Sequence, residues 1–195
     1  MTIAFILGNG VSRQTIDLPA LQPLGKIYGC NALYREFTPD VLVATDTPIA
    51  TKIQESGYAQ HNRFYTRRPL KESGALALAN QYAGYSSGPN AVGLACMDSN
   101  ERIYLLGFDL GPTENSLFNN IYADTEFYKT STQPPTFTGN WVKQLTKIMS
   151  DYKQRQFIRV QGPTTARITD FDNISNLSHL DINTFTDRIN NKKDL

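Results

Sequence analysis

The chain has 195 residues, 40% of them hydrophobic and 11% aromatic, and 19 Lys+Arg against 18 Asp+Glu leave a net charge of +1. That length fits one domain around a single core, and the supply of Tyr, Phe and Ile excludes a disordered chain. A charge this close to zero supplies no global field to recruit nucleic acid or an anionic membrane.

Cys30 and Cys96 are the only cysteines and have no metal-ligand spacing, while His61 and His179 are the only histidines. A His-rich metal site is therefore excluded, and any Ser-His or Cys-His chemistry would depend on one of those two. With no secretory signal and no apolar run longer than a strand, the expectation is a cytoplasmic protein with reduced thiols and no membrane partner. Homo-oligomerisation is left open.

Ile3 to Leu7 is a continuous apolar run, the mark of a strand covered on both faces. It stops at Gly8-Asn9-Gly10, where positive φ is cheap, and Ser12 follows as a helix cap or phosphate contact. A second strand runs from Lys26 and ends at Cys30-Asn31. A third, Val41 to Ala44, leads through Thr45-Asp46 into Thr47-Pro48, a good helix start, with Gly57 as the stop. Asn62 to Arg68 reads as a more polar fourth strand. Residues 71–86 remain ambiguous.

Gly88-Pro89-Asn90 opens an apolar helix through Met97, preceded by Ser87. Arg102 to Leu106 is a clear strand that continues into Gly107-Phe108-Asp109. Residues 111–139 are rich in Asn, Thr, Pro and Tyr and are expected to form one long irregular loop, of the kind that closes over ligands. Trp141 to Tyr152 shows helical apolar spacing, with Asn140 placed to cap it. Phe157 to Val160 is expected as the last interior strand, and the tail from about residue 170 as polar with weak helix signals. The whole chain, 1–195, reads as one domain.

Alternating strands and helices predict a Rossmann-like three-layer α/β sandwich with a mostly parallel sheet. Ligands in such sheets bind outside the carboxyl ends of the strands. Gly8-Asn9-Gly10, Asn31, Asp46 and Asp109 all fall at those ends. Glycines there let backbone amides approach a phosphate, although a plain tight turn needs the same residues. Asn31 reads as a base or ribose contact or as a turn cap. Ser87-Gly88 reads as a phosphate contact or as ordinary capping. Asp46 and Asp109 read as ligands for ribose hydroxyls, a metal or a proton, or as caps. Tyr122 and Tyr128 lie in the long loop, where phenols donate to phosphate oxygens or simply pack.

Gly8-Asn9-Gly10 with Ser12, then Ile16-Asp17, then Cys30-Asn31 with Tyr34, resembles the opening of bacterial lipooligosaccharide sialyltransferases. Ser87-Gly88, an apolar helix and Ile103-Tyr104-Leu105-Leu106-Gly107-Phe108-Asp109 resemble a second block of that family. Both blocks are also similar to Rossmann domains resembling 6-hydroxymethylpterin pyrophosphokinase, found in bacterial and phage proteins. The resemblance covers roughly residues 3–46 and 85–160. It implies a pocket for a CMP-sugar-like donor, contacted by Asn9, Gly10, Asn31, Ser87 and Gly88, with Tyr122 or Tyr128 on its phosphate. The family places a general-base histidine before its late helix, where this chain reads Pro135 to Trp141 without one. Asp109, Asp124 or Glu126 could supply a base instead.

The expected function is thus a glycosyltransferase-like protein that binds a nucleotide-activated sugar and transfers it to an unknown acceptor. The alternatives are a non-catalytic nucleotide-binding protein and a pyrophosphokinase-like phosphotransferase. Only the last would use magnesium, built on aspartates such as Asp46 and Asp109.

Overall fold

The computed structural model describes residues 2–191. Its centre is an eight-stranded sheet of order β5-β4-β3-β2-β1-β6-β7-β8, formed by β1 (Ile3–Leu7), β2 (Lys26–Cys30), β3 (Val41–Ala44), β4 (Phe64–Thr66), β5 (Leu76–Ala77), β6 (Arg102–Leu106), β7 (Gln156–Gln161) and β8 (Leu177–Asp181). Every pairing is parallel. Five helices, α1 (Thr47–Glu55), α2 (Tyr58–His61), α3 (Ser87–Met97), α4 (Gly139–Asp151) and α5 (Ile182–Asn190), cover the two faces. The result is an α/β Rossmann-like sandwich. The sheet is wholly parallel rather than mostly so.

Alternation along the strands divides the core. Ala4 and Ile6 of β1 point with Tyr28, Val43 and Leu105 towards α3 and α4. Phe5 and Leu7 point with Leu42, Ala44 and Tyr104 towards α1 and α5. A strand buried on both faces needs apolar residues at every position, which explains the unbroken Ile3–Leu7 run. The helix starts follow local chemistry. Pro48 sits in the first turn of α1, and Gly57 at φ 75° supplies the left-handed residue beyond its end.

The region from residue 170 is part of the fold rather than a polar tail. It holds β8 and α5, and Phe185 of α5 is fully buried against Phe5 and Tyr104. β8 is an edge strand with only Leu177 and Leu180 half-buried and the rest exposed, so its sequence lacks an apolar run. The fourth strand is shorter than Asn62–Arg68, and the ambiguous stretch contains the two-residue edge strand β5. No helix of the described residues is long and apolar enough to cross a membrane.

The chain leaves β1 towards β2 to β5 on one side and returns to β6 to β8 on the other. The carboxyl ends of β1 and β6 therefore meet where the strand order reverses, the place where open α/β sheets leave a crevice.

Candidate functional site at the strand carboxyl ends

A cavity of about 280 Å³ occupies that crevice. Gly8, Asn9 and Gly10 from the β1 exit, Asn31 from β2, Asp46 from β3 and Asp109 from β6 all line it. Ser87 and Gly88, at the N-terminus of α3, line it as well. The structure thus gathers most of the residues singled out in the sequence around one space.

The β1 turn does not use positive φ. Gly10 is extended at φ −66° and ψ 146°, and the left-handed glycine of the site is Gly107, at φ 69°. Glycine is needed at position 10 for space. A Cβ there would lie 2.5 Å from the Asp109 Cγ and 2.7 Å from the Gly107 carbonyl oxygen. The close approach is fixed by Gly8 and Gly10 amides donating to the carbonyls of Leu106 and Gly107 at 2.7 and 2.9 Å. Only a short 3-10 helix, Val11–Thr15, follows the turn.

Asn31 is left-handed at φ 54°, a conformation asparagine tolerates better than most residues. Its Oδ1 accepts from Ser87 Oγ at 2.9 Å, and Ser87 Oγ in turn accepts from the Thr45 amide at 3.0 Å. One hydroxyl therefore ties the exits of β2 and β3 to α3. Ser86, not Ser87, occupies the N-cap of α3, and its side chain does not cap. Its Oγ accepts from Trp141 Nε1 at 3.0 Å instead. Trp141 so joins α4 to the cavity wall. Thr138 rather than Asn140 is the N-cap of α4, again without a side-chain cap.

The amides of Ser87 and Gly88 find no acceptor among the described residues. They lie at the positive end of an eleven-residue helix, where an anion is favoured. Asn9 has its Oδ1 buried without a donor. Its carbonyl accepts from the Ile121 amide at 2.9 Å, which anchors the long loop over the site.

Asp109 is 3% exposed. Its Oδ2 accepts from the Ser12 amide at 3.1 Å, Asn119 Nδ2 at 3.1 Å and Thr164 Oγ1 at 2.7 Å. Its Oδ1 accepts from the Ser12 and Thr165 hydroxyls. Ser12 is consequently a partner of Asp109, behind the lining. A carboxylate so fully bonded is a strut between the β1 turn, the long loop and the β7 exit. Its lone pairs are taken.

Arg159, on β7, is completely buried and completes this strut. It donates to the carbonyls of Phe108 (3.0 Å), Asp109 (2.9 Å) and Ala166 (2.9 Å). Burial pulls the guanidinium down to about 10, opposed by the charge of Asp109. Leu110, which follows, is left-handed at φ 53°.

Tyr122 and Tyr128 lie outside the lining. Tyr122 donates to Glu36 Oε1 at 2.5 Å and accepts from Arg13 Nη2 at 3.0 Å, behind the β1 turn. Tyr128 accepts from the Ala32 amide at 3.3 Å. Burial raises both phenols. Asp124 and Glu126 are exposed and likewise outside the lining. Cys30 lines the cavity, but burial pushes its thiol up to about 12, so it stays protonated. No lysine, arginine or histidine lines the cavity among the described residues.

Arg13 and Arg159 escaped the sequence reading. Arg13 is 3% exposed and holds the Gly8 carbonyl through Nε at 2.6 Å. The apolar wall at Phe108, Leu110 and Phe118 also escaped it, because its members come from the loop and turn and have no shared spacing. No protein-family model matches the chain, and neither a curated protein nor a solved structure does.

Proposed function

We propose that this cavity is a nucleotide site and that the protein binds a CMP-sugar-like ligand through it, as the sialyltransferase resemblance implies. The observation that carries the reading is convergence. Strand exits and the N-terminus of α3 surround one cavity, and that helix end offers amides with no acceptor of their own. The amides of Ser87 and Gly88 take a phosphate oxygen, and Asn9 and Asn31 meet hydroxyl or base groups.

Holding the nucleotide without transfer is favoured over glycosyl transfer. Asp109, the carboxylate first expected as a base, has its oxygens occupied by Ser12, Asn119, Thr164 and Thr165. The same saturation weighs against a magnesium-dependent phosphotransferase built on it. The test is calorimetric titration with nucleoside monophosphates and nucleotide sugars, with chromatographic analysis for turnover. The expected result is saturable binding, at least about tenfold weaker in Asn31→Ala, a loss of about 1.4 kcal/mol, with no product formed. No binding by any member of the panel overturns the reading.

A further inference from the structure

Two aspartates occupy helix N-caps in this fold and behave differently. Asp181 caps α5, accepting from the amides of Asn183 at 2.8 Å and Thr184 at 3.2 Å. Asp46 stands at the N-cap of α1 with similar backbone, φ −81° and ψ 124° against φ −63° and ψ 141° for Asp181. The capping geometry is open to it, yet its side chain takes neither amide. A helix gains from such a bond, and Asp46 forgoes it. Its carboxylate lines the cavity instead, with no hydrogen-bond or ion-pair partner among the described residues.

Along with the free amides of Ser87 and Gly88, the cavity thus presents a carboxylate that has no donor among the described residues. No cationic side chain among the described residues lines the space to answer Asp46. The part of a ligand that meets Asp46 brings O–H or N–H donors rather than negative charge, since a like charge set against the carboxylate is repelled. Two adjacent hydroxyls, as on a ribose ring or on the glycerol chain of sialic acid, satisfy both oxygens of a carboxylate together. Ser87 links the two features, because its Oγ accepts from the amide of Thr45, the residue before Asp46. The Ser87 and Gly88 amides and Asp46 thus line one cavity, open to a phosphate and a sugar of one ligand.

We propose that Asp46 is the specificity residue of the cavity, its carboxylate receiving a vicinal diol of the ligand. This rests on the nucleotide reading above. The diol belongs either to the ribose or to the carried sugar, and the experiment separates the two.

CMP, 2′-deoxy-CMP and CMP-sialic acid are titrated into wild type and Asp46→Ala. Asp46 is exposed and caps nothing, so the variant retains its melting transition. With a ribose diol, wild type prefers CMP over 2′-deoxy-CMP about tenfold, and the preference falls below about threefold in Asp46→Ala. With a diol on the sugar, wild type binds CMP and 2′-deoxy-CMP alike, and Asp46→Ala weakens CMP-sialic acid about tenfold more than CMP. Equal effects of Asp46→Ala on all three ligands, or none, overturn the proposal while leaving the nucleotide site standing. Failure of wild type to bind any of the three overturns the nucleotide reading, and this inference with it.

Discussion

At Gly10 the torsions are ordinary for any residue, and what forbids a side chain is the Asp109 carboxylate, whose Oδ2 would lie 2.6 Å from a Cβ. A methyl group there pushes the β1 turn off the β6 exit or breaks the Ser12–Asp109 bonds. Gly10→Ala is expected to cost roughly 1–3 kcal/mol, the usual price of overpacking, visible as a lower urea midpoint with an unchanged slope. An unaltered midpoint would show that the turn can shift freely. The sequence marks this glycine as special but misassigns the reason. A turn rich in glycine invites a local torsional explanation, whereas the deciding neighbour comes from a distant strand. The same holds at Asn31: its place at a strand end was legible, while its bond to Ser87 became visible only with α3 in position.

At the scale of elements, β7 shows how much a pattern leaves unsaid. Phe157-Ile158-Arg159-Val160 reads as an interior strand, and β7 lies between β6 and β8, but nothing in that run tells that Arg159 is fully buried and grips the carbonyls beyond β6. Its three-sided grip uses the planar fork of the guanidinium, which lysine does not reproduce. Arg159→Met leaves those carbonyls without donors and removes a positive charge that interacts with Asp109. The expected loss is about 1–3 kcal/mol, the cost of leaving buried acceptors without a donor, measured by denaturant unfolding, with Arg159→Lys recovering only part of it. A loss below about 1 kcal/mol would mean that water replaces the grip. The strong apolar strands β1, β3 and β6 were legible because both faces are covered. β8 was not, since an edge strand has little apolar sequence to display.

For the whole molecule, the two wings of the sheet join through the single pairing of β1 with β6. The wing of β6 to β8 includes the segment that composition marks as a polar tail. β8 pairs along the whole of β7, from Phe157↔Leu177 to Gln161↔Asp181, and α5 covers Phe5 and Tyr104 with Phe185. A chain ending at Ile174 uncovers those aromatics and leaves β7 as an open edge, which invites association. Such a truncation is expected to lose its cooperative thermal transition by circular dichroism and to elute as aggregate. A sharp transition near the full-length value would show that the segment is dispensable. The parallel α/β class followed from alternating elements, but the strand order did not, because nothing local says on which side of β1 the chain returns.

Asn31 and Leu110 each turn left-handed just beyond the strands flanking β1, at φ 54° and 53°. Single residues held there cost of order 1–3 kcal/mol and persist only when their surroundings over-determine them. Here the surroundings are the Ser87 hydroxyl on one side and the Arg159 grip on the other. Both corners of the cavity are therefore cast when the chain folds, and the entropy of ordering them is charged to folding rather than to the encounter. For the ligand proposed above, the mould is finished before it arrives, so its own stiffness, more than that of the protein, is expected to set how tightly it is kept.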